Sequence, residues 1–440
     1  EFVGSALEGD EPEANDPAPT APNNAGADPV DTMTGAFLHN TTDLAFGLLG
    51  FPIRFSRTYV SDAHRHDGPL GFGWTHSYNL SLAEGSDWSR AFGCRAATDA
   101  VAAIAEAYAG LDILCTGPGT LPHEHMLIAA ESADWLLNQA TGNSVIVTSG
   151  KGQTREYLLL PDGTYRPSHE LVSTVTPTGS GAYTEESKNG CQFVFDSQGR
   201  PTSLIDANGN QTTLTYDVQG NLTRVTDPVD RSIELSYSAG RLTQIIDPIG
   251  RTFHYTYDGA GNLISYTDAR GGSTTYAYDD EHRVTSVTDP EGVTFTTNVY
   301  DQFGRVTSQI DGRGGTLSIR YGEVRSTVTD PLGHETVYFY DRYRRLIGNQ
   351  DALGYTTSRL YDASDNVVSR TDARGSTMTY AYDARGNLTH MTDPLGHATT
   401  FTYDSSDNLT AMTDALGHSI LLTYDAHRNP ATITRPLGAV

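Results

Sequence analysis

One tyrosine returns in register through the second half of this chain, and it is usually followed by aspartate. The pairs are Tyr216-Asp217, Tyr237-Ser238, Tyr257-Asp258, Tyr278-Asp279, Tyr300-Asp301, Tyr321-Gly322, Tyr340-Asp341, Tyr361-Asp362, Tyr382-Asp383, Tyr403-Asp404 and Tyr424-Asp425. Successive steps are 21, 20, 21, 22, 21, 19, 21, 21, 21 and 21 residues, and Phe195-Asp196 is a degenerate copy one step earlier. Separate domains do not hold such a spacing. It requires one small supersecondary unit, repeated so that each copy buries its apolar face against its neighbours.

Residues 386–404 show the mechanics of a unit. Asp393-Pro394-Leu395-Gly396 suits a type I turn, with Asp bonding the turn backbone, Pro presetting φ and Gly fitting the fourth position. The same Asp-x-x-Gly spacing recurs after the tyrosine, as in Asp383-Ala384-Arg385-Gly386. Each unit therefore reads turn, strand, turn, strand. In Thr252-Phe253-His254-Tyr255-Thr256-Tyr257 the aromatics share one face, as period two requires. In the other strand Leu222 and Val225 lie three apart, which predicts a bulge or strong twist. The tyrosines and aspartates are thus expected to be structural anchors.

Strands of roughly 7 residues make a strip about 23 Å tall, and about 22 of them extend it roughly 105 Å. Bent into one ring, such a strip has a radius near about 17 Å. The expectation is part of a shell, too narrow to close over a folded protein.

The rest of the chain divides by composition. Residues 1–27 are acidic and Pro-rich, a disordered linker by composition. Residues 28–84 form a β segment in which Ile53-Arg54-Phe55-Ser56-Arg57-Thr58-Tyr59-Val60 alternates with period two, and Gly68-Pro69-Leu70-Gly71-Phe72-Gly73-Trp74 reads as a turn presenting Trp74. Residues 85–144 carry Ala-rich helical spacing from Ala96 to Ala109 and again from Leu127 to Ala140, a helical insertion. Residues 145–190 return to strands, and 191–440 are the hairpin repeats. The fold class expected is mainly β: a spiralling antiparallel hairpin sheet with an N-terminal β segment that carries a small helical insertion.

Charge removes some functions. Asp and Glu total 54 against 29 Lys and Arg, a net charge of −25, which is wrong for a nucleic-acid partner. No apolar run is long enough to span a membrane. The three cysteines, Cys94, Cys115 and Cys191, do not make a disulfide framework. The chain starts at Glu1 with no basic-plus-apolar leader, so any signal peptide is expected to lie outside it.

These features resemble the Rhs/YD-repeat family, which includes bacterial Rhs polymorphic toxins, shell subunits of insecticidal toxin complexes and the YD shells of teneurins. The Gly-Asn/Arg-Leu, Asp-Pro/Ala-x-Gly and Tyr-Asp motifs carry the resemblance over about residues 191–440. Asp28-Pro29-Val30-Asp31, Thr34-Gly35, Arg57-Thr58-Tyr59 and Gly68 to Trp74 with His76 and Tyr78 resemble the segment preceding the repeats in many Rhs proteins. The resemblance implies hairpins wound into a hollow shell, commonly around a C-terminal toxin, and a secreted or cell-surface location. The family's core motif with its aspartate self-cleavage centre is not found before Val440, so autoproteolysis and toxicity are not expected of these residues.

The remaining chemistry-bearing residues read as structural. His334, His397 and His418 follow the turn glycine, a slot held by Arg251 and Tyr355 in sibling units, and metal binding needs more converging ligands. Asp206-Ala207-Asn208-Gly209-Asn210 starts like a calcium loop but has Gln211 at the sixth position and Asp217 at the twelfth. His64, His66 and Asp67, and His123, Glu124 and His125, are loop clusters beside Pro and Gly. Asn40, Asn79, Asn210, Asn221, Asn387 and Asn408 head sequons that a Thr-rich repeat generates by composition. No catalytic, cofactor or metal residue is expected. The function expected is a structural shell segment whose partners are further repeats and a cargo or toxin domain. The alternative is an extracellular structural or adhesive protein, filament-forming or carbohydrate-contacting, with cell-envelope or self-assembly partners. A third reading, an enzyme with its site in the insertion, is the least supported.

Overall fold

The computed structural model describes residues 30–47, 50–84, 144–150, 152–159, 164–167, 173–179 and 181–435. The expected linker over 1–27 and the expected helical insertion over 85–144, with Cys94, Cys115 and the His123 cluster, lie outside them except for Ser144, which opens a strand. Strands dominate, and the one helix among the described residues is the short 3-10 turn Ser61–Ala63. The chain divides into two compact units, one of residues 1–78 with 205–440 and one of residues 79–204.

In the smaller unit, strands Ser81–Glu84, Ser144–Thr148, Thr154–Leu159, Tyr165–Pro167, Ser173–Gly179, Ala182–Ser187 and Gln192–Phe195 pair antiparallel in chain order. Leu82, Val145, Val147, Tyr157, Tyr165, Val175, Tyr183 and Phe195 form its core. The Leu82 N–H donates to the Gly199 carbonyl at 2.8 Å, so the first strand meets the turn after the last of these. At Gly199 φ is +71°, and a Cβ would stand 1.7 Å from the Leu82 oxygen, so only glycine fits.

In the larger unit, hairpins run from Gln211–Tyr216 to Pro430–Thr434, each strand antiparallel to the next. The turns follow the sequence. At Asp393 the backbone N–H donates to the His397 carbonyl and the Gly396 N–H returns to the Asp393 carbonyl, both at 3.0 Å. Gly396 has φ +86°, which makes this a type I turn closed by a glycine bulge. The same geometry at Asn429 brings the last turn back to the first, where its Nδ2 donates to Asn208 Oδ1.

A second bulge recurs where the first strand of most units begins; the Tyr321 hairpin lacks it. Tyr216 pairs with Leu222 and Thr215 with Arg224, leaving Thr223 extra. That slip puts Leu222 and Val225 on one face, 4% and 0% exposed. It recurs at Tyr257, Tyr278, Tyr300, Tyr361, Tyr382, Tyr403 and Tyr424.

Residues 30–78 of the same unit form a three-stranded sheet of Leu38–Phe46, Ile53–Val60 and Trp74–His76. Trp74 is not presented by a turn; it opens the third strand and is buried.

Candidate functional site

The bulge explains the tyrosine. An extra residue disrupts the ladder and frees a carbonyl. The tyrosine hydroxyl takes it: Tyr257 donates to Leu242, Tyr278 to Leu263, Tyr300 to Val284, Tyr321 to Val306, Tyr361 to Leu346, Tyr382 to Val367, Tyr403 to Leu388 and Tyr424 to Leu409, at 2.5–3.1 Å. Each ring therefore ties one hairpin to the bulge of the one before. Tyr340 departs from this and shares a 2.6 Å bond with the Thr32 hydroxyl. Burial raises the Tyr257, Tyr403 and Tyr424 phenols above their usual range and keeps them protonated donors. Tyr403→Phe leaves the Leu388 carbonyl without its donor and is expected to cost about 1–2 kcal/mol. Exposed Tyr343 is the control: Tyr343→Phe should leave the urea midpoint unchanged.

The repeat aspartates are turn clamps. Asp393 Oδ1 accepts the N–H groups of Leu395 and His397, and Oδ2 accepts His397 Nδ1 at 2.9 Å. Asn221 and Asn429 fill the histidine's place at Asp217 and Asp425, and Arg305 and Arg345 at Asp301 and Asp341. His334 and His418 bind Asp330 and Asp414 the same way, so each of the three histidines serves its own turn. Asp206 is likewise a clamp, on Asn208 and Asn210. Asn210, Asn221, Asn387 and Asn408 spend their amides on these carboxylates. Bonds from the fourth following side chain hold Asp217, Asp393 and Asp425 below the usual carboxylate range. A depressed carboxylate contributes stability that is present above its unfolded pKa and lost as pH falls through the folded one. Acid titration should therefore melt the hairpins only below about pH 4.

Along the hairpins runs a row of directly opposed side chains, one pair per hairpin, each beginning two residues before the repeat tyrosine and therefore on its face. It runs Leu214–Val225, Leu235–Ile245, Tyr255–Tyr266, Tyr276–Val287, Asn298–Gln309, Ile319–Val328, Tyr338–Asn349, Arg359–Arg370, Tyr380–Met391, Phe401–Met412 and Leu422–Ile433. Gln309 Nε2 donates to Asn298 Oδ1 at 2.9 Å. The pairs from Leu214 to Val328 are buried, whereas those from Arg359 onward are half-buried or exposed.

Residues 30–78 cover the buried part. Arg57, fully buried, donates from Nε to Asp43 Oδ2 at 2.7 Å and from a terminal nitrogen to the Tyr276 hydroxyl at 2.9 Å. Its guanidinium lies 4.2 Å from the Tyr266 ring centre, with Trp74, Tyr255 and Tyr276 around it, a cation–π enclosure. Tyr255 donates to the same Asp43 oxygen at 2.7 Å. Burial pushes the Asp43 carboxyl up against the opposing pull of Arg57. Trp74 Nε1 donates to the Tyr278 hydroxyl, and Phe72 stacks on His282 at 3.8 Å. Residues 30–78 accept from the N–H groups of three bulges: Leu242 N–H donates to the Pro69 carbonyl, Val284 N–H to the Tyr59 hydroxyl and Val306 N–H to the Gly35 carbonyl, at 2.9–3.0 Å.

The loop histidines show no reactive arrangement. His64 Nδ1 bonds the Ser61 carbonyl, the His66 N–H bonds the Ala63 carbonyl, and Asp67 pairs with Arg241. Among the described residues no group of three His, Cys, Asp or Glu is placed to hold a metal ion, and no helix is long and apolar enough to cross a membrane.

The model of the RHS Repeat matches residues 195–232, 237–272, 257–294, 278–316, 361–400, 382–419 and 403–440. A domain of unknown function, DUF6531, matches residues 27–98, which takes in the covering segment. No curated protein matches. Among solved structures, the chain is similar to one in the Photorhabdus luminescens Tc holotoxin pore (TccC3-D651A), at 13% identity and TM-score 0.44, covering 92% of this chain and 23% of that one. It is also similar to one in TcdB2-TccC3-Cdc42, at 13% identity and TM-score 0.43, covering 91% and 23%. The chain thus spans under a quarter of the length of those structures.

Proposed function

We propose, from the premise that this chain belongs to the Rhs/YD-repeat family, that it is a length of structural β-wall holding or presenting a polypeptide cargo that lies outside residues 1–440. The family and the hairpin sheet make its role structural. The observation that carries the finer reading is the row of opposed side chains, buried under residues 30–78 over its first hairpins and, among the described residues, only half-buried or exposed from Arg359 onward. A wall that only needed to fold gains nothing from a Tyr–Met–Phe–Leu face left half-exposed. A wall that holds a chain needs one. The cargo and further repeats belong to the same polypeptide, and the site of action is extracellular or at the cell surface. The tyrosines and aspartates of the repeats act as anchors and perform no catalysis.

The test uses the full reading frame that contains this sequence. Electron micrographs should show monodisperse hollow particles, and added protease should spare the segment downstream of the repeats. Polymers or envelope-bound filaments with a fully digestible downstream segment would overturn the reading in favour of a cargo-free scaffold.

A further inference from the structure

Arg359 and Arg370 stand directly opposite each other on one face. Like charges in that position repel, and every other pair in the row is apolar, aromatic or amide-bearing. Other repeat arginines turn to a carboxylate: Arg231 to Asp227, Arg251 to Asp247, Arg283 to Asp279 and Arg305 to Asp301. Among the described residues, Arg359 and Arg370 have no such partner, in a chain of net charge −25. The pair next to them is Tyr380–Met391, and then Phe401–Met412. Three of the five methionines, Met378, Met391 and Met412, fall on this face. Methionine suits a surface that must repack around an irregular partner.

The covered hairpins show what such a partner offers. There the bulge N–H groups of Leu242, Val284 and Val306 donate to oxygens of residues 30–78, two of them main-chain carbonyls. Val367, Leu388 and Leu409 hold the equivalent bulge positions further on.

We infer that the face from Thr356–Tyr361 to Pro430–Thr434 docks an extended polypeptide segment in which carboxylates alternate with apolar side chains. Its carboxylates bridge Arg359 and Arg370 by charge-assisted hydrogen bonds. Its apolar side chains lie on Tyr380, Met391, Phe401 and Met412. The charge complementarity selects an acidic polypeptide over a basic one. The inference rests on the cargo-holding reading and specifies which chemistry that cargo presents to this stretch of wall.

The test uses the whole chain and two fluorescein-labelled peptides, Glu-Phe-Glu-Leu-Glu-Phe and Lys-Phe-Lys-Leu-Lys-Phe, followed by anisotropy. The glutamate peptide should bind at least about ten-fold tighter at low salt and lose that margin at high salt, as screening requires. R359E/R370E should invert the order. These residues are half-buried and exposed respectively, so the variant keeps the wild-type circular dichroism spectrum. Absence of binding to the wild type, an order unchanged in R359E/R370E, or self-association of the chain abolished by R359E/R370E would overturn it, the last by making a second copy the occupant. Protease protection of the cargo is read separately. An enclosed cargo with no peptide preference sinks this inference and leaves the wall reading intact; a digestible cargo sinks the wall reading.

Discussion

Arg57→Ala should destabilise the larger unit by about 3–5 kcal/mol, the range for removing one partner of a buried ion pair. Arg57 and Asp43 are both out of solvent, and Asp43 Oδ1 already lacks a hydrogen-bond partner. Deleting the guanidinium leaves a buried carboxylate that keeps the Tyr255 hydroxyl as a donor but has lost its counter-charge. The damage is therefore more than the loss of one contact. Removing both charges is the diagnostic variant: Arg57→Met with Asp43→Leu should recover most of the loss, because apolar replacements of similar volume often match a buried pair. Urea denaturation gives both numbers. A single variant that costs under about 1 kcal/mol would mean that residues 30–78 are not locked to the row.

The second large effect is a pH dependence carried by His76. It is 2% exposed, stacked 5.0 Å from Phe55, and burial lowers its pKa from 6.5 to about 4. The folded protein thus binds fewer protons than the unfolded chain between those values, and stability falls as pH falls across that window. The full drop is on the order of 3 kcal/mol. Above pH 6.5 the contribution is flat; below about pH 4 it is spent, and the turn carboxylates take over the decline. His76→Phe should remove the upper limb and leave the lower one. An unaltered slope between pH 6.5 and 4 would place the titration elsewhere.

The repeat and its turns were legible because they are local. An Asp-x-x-Gly turn closes within five residues, and the misfit between Leu222 and Val225 announced the bulge. The tyrosine's bond to a carbonyl 15 residues back was not foreseen, since it depends on which carbonyl the bulge releases. The contact between residues 30–78 and the repeats was not legible either. Arg57 and Tyr276 are 219 residues apart, and nothing periodic links them. One signal was present: in the alternating strand Ile53, Phe55, Arg57 and Tyr59 share a face, so an arginine stood on an apolar surface and required a buried partner. The reading of Trp74 as displayed by a turn failed for a related reason. Glycines at 71 and 73 permit close approach of neighbours, and Tyr59 would meet a Cβ on Gly73 at 2.6 Å.

Hydrogen exchange along the hairpins tests the central claim most directly, because amide protection reports which part of the wall is covered. Strands from Arg241–Ile246 to Leu346–Gln350 should exchange slowly, with a step to faster exchange from Thr356–Tyr361 onward, and Arg57→Ala should erase the step. Equal protection along both stretches, or a step that survives Arg57→Ala, would contradict the account of a row buried under residues 30–78 over its first hairpins and less buried from Arg359 onward.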